Sequence, residues 1–425
     1  MTPAPLDVLG ALLDHTRAHR LPPPAALVGD WWGADAVIAP SIDLVAGHRP
    51  PPVSDRFWFG YIGFPHYSAA RAGTGEDDAT GNPTTGGLNT GGTGTGDDGL
   101  PAIAGGETDA VLLLHDGRWE YRSIDRSPCP TWISDCLTTA AQLGPPRPPR
   151  VSWHAPQRQP HLAAVESCLA AIRAGEVYQA CVCTRFTGRI DGCTADFYRL
   201  LAAATTPAKS AFLQGDWGSV ASFSPETFLR RADGAVISAP IKGTIAASGD
   251  AATLASSVKD IAENVMIVDL VRNDLGRVAD IGSVTVPALL RTSPAPGVWH
   301  LVSTVRADVG SHVSTTDLLE ATFPPASVTG TPKLRALSLL ADWEQHSRGV
   351  YCGAIGMCGP GGDLDLNVAI RTVAVTPDGE AVLGVGGGIT IDSDPAREWQ
   401  ECLDKAASIV SAFPHDDTGR SHPTR

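Results

Sequence analysis

Lys242 stands in the run Ser238-Ala-Pro-Ile-Lys-Gly-Thr244, where Val236 and Ile237 read as the end of a strand. Pro240 cannot donate to a sheet ladder, so regular pairing is expected to stop there. Gly243 then permits a tight turn. An amine just past a strand end can act as a nucleophile or as the cation for an anionic ligand. A lone lysine in a turn is ordinarily a surface residue, but this one has a carboxylate within reach. Ser222-Phe-Ser-Pro-Glu-Thr227 lies upstream, and Asp233-Gly234 between the two runs is a hairpin signal. A two-residue turn pairs Glu226 with Ile241 and leaves Lys242 on the other face. A three-residue turn, or a break at Pro240, brings acid and amine together. The hairpin allows that pairing without requiring it.

Four further constellations carry chemical potential. Asp260 and Glu263 lie three apart on one helix face beside Lys259, and Glu398 and Glu401 repeat the spacing with Lys405 one turn on. One carboxylate from each helix, with water, is a usual Mg²⁺ site that leaves room for substrate oxygens; spacing alone favours two solvated faces with salt bridges. Gly384-Val-Gly-Gly-Gly-Ile-Thr390 reads as glycines at a strand end, either an approach for an anion to backbone amides or a plain tight turn. Its spacing is not that of a dinucleotide loop. Phe323-Pro-Pro-Ala-Ser-Val-Thr-Gly-Thr-Pro-Lys333 reads as a loop entering a helix N-terminus, a place for a small anion. Asp365-Leu-Asn-Val-Ala-Ile-Arg371 reads as a strand that ends on an arginine, with Tyr351 starting the strand before it. Together they could clamp a carboxylate.

These residues need elements to hold them. Leu6 to Arg20 reads as a helix stopped by Pro22-Pro23-Pro24, and Phe57-Trp-Phe-Gly-Tyr-Ile-Gly63 as a buried strand. Residues 72–106 are dominated by Gly, Thr, Asp and Asn, too polar to offset ordering entropy, and are expected to form a disordered insertion. Pro145-Pro-Arg-Pro-Pro149 marks a boundary, so we expect an N-terminal subdomain over 1–150 and a catalytic region over 151–425. Beyond it, helices are expected at His161–Ala174, Asp196–Ala204, Ser256–Leu275 and Pro332–Ala341, with a last one opened by Asp394-Pro395. Strands are expected at Val177–Phe186, Ala221–Arg231, Ala235–Ala239, Val284–Val286, His300–Val309, Tyr351–Met357, Leu366–Val375 and Ala381–Val385. Long successive strands with helices between them imply an α+β fold with antiparallel sheets.

The 425-residue chain can bury a large core, with 43% hydrophobic and 18% charged residues. A net charge of −14 argues against nucleic acid or an anionic membrane as partner. No signal peptide and no membrane-spanning run is read, and nine scattered cysteines without a CxxC pair fit reduced thiols, so a cytoplasmic protein is expected.

Taken together, the motifs resemble the chorismate-utilising enzymes over roughly residues 155 to 411. The resemblance is carried by Pro240-Ile-Lys-Gly-Thr244, the run from Asp260 to Leu275, His300-Leu-Val-Ser303, Ser327-Val-Thr-Gly-Thr-Pro-Lys333, Tyr351-Cys-Gly-Ala-Ile-Gly356, Ile370-Arg-Thr372, Gly386-Gly-Gly388 and Arg397-Glu-Trp-Gln-Glu401. The Gly-rich insertion is not part of the family pattern. The fold this implies is two large, mostly antiparallel sheets packed face to face with helices outside. Lysine in the Pro-Ile-Lys-Gly-Thr motif resembles the aminodeoxychorismate synthase component I branch, which serves 4-aminobenzoate and folate synthesis; anthranilate synthases usually carry alanine there. Isochorismate and salicylate synthases use a lysine base near the position of Gln179.

The resemblance implies roles. Glu226 is the general acid for the C4 hydroxyl of chorismate, and Lys242 attacks C2 to form a covalent adduct, which needs a neutral amine and a lowered pKa. Mg²⁺ on Glu263 and Glu401 binds the ring carboxylate, with Asp260 and Glu398 holding water beside it. Arg371, Tyr351 and the amides of Gly386, Gly387 and Gly388 grip the enolpyruvyl carboxylate, with Lys405 also counted among the substrate-binding residues. His300, grouped with the catalytic residues, and Ser327 line the ring pocket. With no Cys-His-Glu glutaminase pattern, a separate glutamine amidotransferase subunit is expected to supply ammonia. The alternatives are anthranilate synthase component I and a catalytically dead binding subunit of an amidotransferase complex.

Overall fold

The computed structural model describes residues 2–65 and 96–413. Among them, the strands form an 11-stranded and a 10-stranded sheet in which every pairing is antiparallel. Strict alternation along the strands sorts side chains into layers. In the first sheet Leu27, Val37, Ala211 and Leu213 face inward and meet Phe57, Phe59, Tyr61, Ile355 and Met357 of the second. Their neighbours Ala26, Ile38 and Phe212 face outward, under Val8 and Leu12 of helix Pro5–His19, Phe197 and Leu201 of helix Thr194–Thr205, and Cys402 and Ile409 of helix Pro395–Val410. The second sheet is covered in the same way by Ile267, Val271 and Leu275 of helix Val258–Gly276 and by Leu318 of helix Thr315–Thr322. Two sheets face to face with helices outside is the architecture expected from the sequence.

Chain segments on both sides of residue 150 share both sheets. Strand Ala25–Trp31 pairs with Lys209–Gly215, and Phe57–Ile62 pairs with Ala354–Cys358. The two sheets are also pinned by a buried ion pair. Lys209 Nζ lies 2.6 Å from Asp365 Oδ1, whose other oxygen accepts from Arg230 Nε at 3.0 Å and from the Trp32 amide at 2.7 Å. Asp365 is fully buried, so removing one partner would leave a stranded charge at a cost of about 3–5 kcal/mol.

Several expectations need correction. Most of the insertion expected over 72–106 lies outside the described residues, but its end is ordered. Leu100 is fully buried, and strand Ile103–Thr108 pairs with Phe57–Ile62 along its whole length. The small residues Ala104, Gly105 and Gly106 are there because strands crowd them: a Cβ on Gly105 would sit 2.5 Å from the Trp58 indole. The single strand expected at Leu366–Val375 is two. The chain leaves the second sheet at the end of Leu364–Val368 and enters the first at Thr372–Val375. The strand expected at Val284–Val286 runs far longer, Thr285–Ala295, along Val298–Asp308. The helix expectations hold with shifted ends, including the last, where the Asp394 side chain accepts from the Arg397 amide and Pro395 opens the first turn. No helix among the described residues is long and apolar enough to cross a membrane.

Candidate active site

The hairpin resolves the geometry that the sequence left open. Its turn is the two-residue one, with Asp233 at φ 51° and Gly234 at φ 75°, both in the left-handed region such a turn demands. The register then slips by one between Thr227 and Arg230, from a 230–237 pairing to a 227–239 pairing. A one-residue slip exchanges faces, so Glu226 comes level with Pro240, and Lys242, two residues on, shares its side. Strand Ala235–Ala239 stops at Pro240, and Ile241–Ala246 resumes along Val298–Asp308. Gly243, at φ 84°, lets helix Val258–Gly276 approach: a Cβ there would lie 3.0 Å from Asp260 Cβ.

Glu226 and Lys242 open into one cavity of about 470 Å³ between the sheets and the two acidic helices. Asp260, Glu263, His300, Ser327, Tyr351, Arg371, Gly386, Gly387, Gly388, Glu401 and Lys405 line it too. Glu398 does not reach its surface; it is buried behind, bound to Lys259 at 2.9 Å and to the Ser393 hydroxyl at 2.6 Å. The sequence did not single out Cys181 or Thr244, which also line the cavity. Thr244 was legible as part of the lysine motif, whereas Cys181 carried no signal beyond its place in a strand.

Burial pushes the Glu226 pKa up to about 7, against hydrogen bonds from the Ser327 hydroxyl and the Ile241 amide and the charges of Lys242 and Arg371. The carboxyl is therefore shared between its protonated and ionised forms near neutrality. His300 is held neutral, with its pKa lowered to about 4 by burial and by Arg371. Its Nδ1 lies 2.8 Å from the Thr244 hydroxyl, and its buried Nε2 has no partner among the described residues.

Lys242 differs from the expectation of a lowered pKa. Burial alone would lower it, but Nζ donates to Glu263 Oε1 at 2.7 Å, and that carboxylate together with the neighbouring Cys181 outweighs burial, so the net shift is upward. Lys405 is bound likewise to Glu401 Oε1 at 2.8 Å, and also donates to the Gly386 carbonyl at 2.9 Å. Burial opposes charge on Glu401, but Lys405, Lys259 and Lys242 outweigh it and hold its pKa low. Each acidic helix thus turns a carboxylate into the cavity with a lysine as its counter-ion.

The glycine run is the C-terminal end of a strand rather than a turn. Gly386, Gly387 and Gly388 lie within strand Glu380–Ile389, paired with Cys183, Val182 and Cys181 of strand Gln179–Asp191. On the opposite edge the last pairing of Thr372–Val375 is Val373 with Leu383, so that edge is open beyond it. Glycine is needed here for space: a Cβ on Gly388 would lie 2.0 Å from Glu263 Oε1, and one on Gly387 would lie 3.2 Å from Glu398 Oε2 and 4.0 Å from Glu401 Oε1.

Tyr351 sits in a turn before strand Ala354–Cys358 rather than in a strand, with its ring against Gly384, where a Cβ would fall 2.1 Å from the ring Cγ. Arg371 has φ 51° in the link between the two sheets, a sparsely populated conformation for a non-glycine residue. The loop over 323–333 contributes Ser327, but Lys333 is no anion site. It is half-buried, 2.6 Å from Asp274 Oδ2, and donates to the Thr322 and Pro324 carbonyls.

Among the described residues no three His, Cys, Asp or Glu side chains already converge as a metal centre. The donor set nonetheless fits a hard divalent cation. Two carboxylates face one another across a wall of glycines that a single Cβ would fill, and Glu398 Oε2 behind them is buried without a partner.

The fold and this cavity have known counterparts. A family model described as chorismate binding enzyme matches residues 120–411. Aminodeoxychorismate synthase component 1 of Klebsiella aerogenes is 42% identical over 248 residues, 57% of this chain and 55% of that protein. The protein of the same name from Salmonella typhimurium is 37% identical over 308 residues, 71% of this chain and 65% of that one. The chain therefore spans between about half and two thirds of the length of these relatives. In fold it matches anthranilate synthase component I from Streptococcus pneumoniae TIGR4 with a TM-score of 0.67 at 24% identity, over 92% of this chain and 90% of that one. The match to the family model covers well over half of the sequence and encloses every strand and helix that lines the cavity, and the chain belongs to the chorismate binding enzyme family.

Proposed function

We propose that this chain converts chorismate and ammonia to 4-amino-4-deoxychorismate, the precursor of 4-aminobenzoate, as a cytoplasmic enzyme. The observation that carries the reading is that Lys242 and Glu226 line one cavity, the acid with its pKa raised to about 7 and so still carrying its proton on a substantial fraction of molecules at neutral pH. The aminodeoxychorismate synthase component 1 relatives, at 37–42% identity, support it.

Hydroxide is a poor leaving group, so the C4 hydroxyl must be protonated as it departs. Glu226, oriented by Ser327, supplies that proton. The Lys242 amine attacks C2, the ring double bonds shift, the C4–O bond breaks and water leaves. Ammonia then attacks C4, the double bonds shift back and the C2–N bond breaks, its electron pair returning to Lys242. Glu226, now a carboxylate, takes the proton that ammonia sheds, so the sum is chorismate plus ammonia giving product plus water. Arginine's planar fork suits the enolpyruvyl carboxylate, which Arg371 holds with Tyr351 and the open-edge amides of Gly386 and Gly388; the Gly387 amide between them faces Val182 of the paired strand. His300, neutral with a free ring nitrogen, lines the ring pocket.

Glu263 and Glu401 would hold Mg²⁺, with Asp260 and Glu398 fixing water beside it. When bound, the ion supplies positive charge for the ring carboxylate. Lys242 is then left without its counter-ion on Glu263, which favours the neutral amine that attack requires. Ammonia comes from a separate glutamine amidotransferase subunit, in keeping with the "component 1" in the relatives' names.

The test is turnover of chorismate with ammonium chloride and Mg²⁺, with product identified by mass and fluorescence. Aminodeoxychorismate is the expected product. Fluorescent anthranilate, or no consumption of chorismate, overturns the reading.

A further inference from the structure

A second, smaller cavity backs onto the first. It is floored by His161, Cys183, Tyr351 and Gly384 and rimmed at the surface by Gln345 and His346. Tyr351 and Gly384 belong to both cavities, so one aromatic ring packed on one glycine is the partition between them. The volume is about 40 Å³. A water-sized molecule needs roughly 10–15 Å³ on this measure, so there is room for a few such molecules and for no metabolite.

The lining is polar and incompletely satisfied. His161 Nδ1 and Arg185 Nε are buried with no partner among the described residues. Two guanidiniums, Arg185 and Arg348, line the cavity against the single carboxylate of Glu344. Arg348 is itself locked, donating to Glu344 and to the carbonyls of Val328 and Cys181. Arg348 is matched by Glu344, and Arg185 is faced by Asp97, whose carboxylate accepts from the amide of the lining residue Ser347. The charges around the cavity are thus largely balanced, and its unpartnered polar atoms suit a small neutral molecule such as ammonia, the nucleophilic form.

The reaction order gives this cavity a use. Ammonia must reach C4 after chorismate has filled the larger cavity and joined Lys242, and bulk water must stay out because water would compete at C4. A route behind Tyr351 meets both demands. We infer that the cavity floored by His161, Cys183, Tyr351 and Gly384 is the entry site for neutral ammonia, and that the Gln345–His346 rim faces its donor. The inference rests on the amination reading above.

Obstruction from two walls tests it. Ala164 of helix Arg158–Arg173 and Thr184 of strand Gln179–Asp191 line this cavity and not the larger one. Ala164→Leu and Thr184→Leu are each expected to raise the KM for ammonium chloride at least tenfold. The KM for chorismate should stay within twofold, as should the rate at which an adduct of chorismate minus water appears on the protein without ammonia. Either variant that folds, by its circular dichroism spectrum, decides the question. An unchanged KM for ammonium chloride overturns the entry site, and so does an equal rise in both KM values. Wild-type protein that forms neither adduct nor product overturns the amination reading instead, which a failed obstruction leaves intact.

Discussion

Lys242 Nζ and Glu263 Oε1 are 2.7 Å apart, both nearly buried, so the proposed nucleophile and a proposed metal ligand neutralise one another. The ammonium so held cannot attack carbon. The same contact that stores the lysine without substrate must be broken for chemistry, and a cation on Glu263 is the natural competitor for that carboxylate. On the proposed mechanism the metal would serve the lysine as well as the substrate.

Lys242→Arg keeps charge and approximate reach but not the ability to deprotonate. It is expected to lose aminodeoxychorismate formation by about a thousandfold, as is Lys242→Ala, a loss of about 4 kcal/mol in transition-state stabilisation. Intact-mass analysis of wild-type protein with chorismate and Mg²⁺, without ammonia, should reveal an adduct that peptide mapping places on Lys242. An active Lys242→Arg enzyme with no adduct in the wild type would leave only direct ammonia addition.

Glu226 has its folded pKa raised to about 7 from the usual carboxyl range. Between those two values the folded protein binds a proton that the unfolded chain does not, so folding stability falls as pH rises through this window. Glu226→Gln should therefore raise the thermal midpoint relative to wild type at pH 8 and much less at pH 5, while abolishing turnover. The rate of adduct formation should fall above pH 7, as the acid loses its proton. A rate that is flat from pH 6 to 8.5 would remove Glu226 from the acid role.

Glu263→Gln and Glu401→Gln are expected to abolish Mg²⁺-dependent turnover with the fold preserved. Titration calorimetry with Mg²⁺ should show binding in the wild type and none in either variant. Near-normal activity with unaltered Mg²⁺ dependence in both would return these helices to ordinary solvent-facing roles.

Gly388→Ala puts a methyl carbon 2.0 Å from Glu263 Oε1. It should cut turnover at least a hundredfold with little change in circular dichroism. Gly387→Ala, whose nearest neighbour is 3.2 Å away, should be milder. Equal activity in the two variants would show that the carboxylates shift freely.

The sequence made the two-layer antiparallel plan legible because its motifs are long and its strands alternate. The site residues it named line the cavity, Glu398 excepted, while Cys181 and Thr244 went unnamed. It could not choose between the two faces for Lys242, because the slip between Thr227 and Arg230 has no glycine or proline to announce it. Nor could it see that Ile370-Arg371 crosses from one sheet to the other, since an apolar run looks alike whether or not the chain changes partners midway. The glycines at 386–388 read as an anion approach or a tight turn just past a strand, whereas they continue that strand and provide clearance for Glu263 and Glu398.

The sharing of both sheets by residues before and after position 150 has a practical consequence for anyone shortening this protein. A fragment beginning there would lack Ala25–Trp31 and Phe57–Ile62, baring the edges of Lys209–Gly215 and Ala354–Cys358. Ala354–Cys358 is buried throughout and carries no charge, and Lys209–Gly215 has only Lys209 to guard it, so the bared edges can template strand addition between molecules. Such a fragment should come out of cells as insoluble aggregate even though it holds every residue of the cavity.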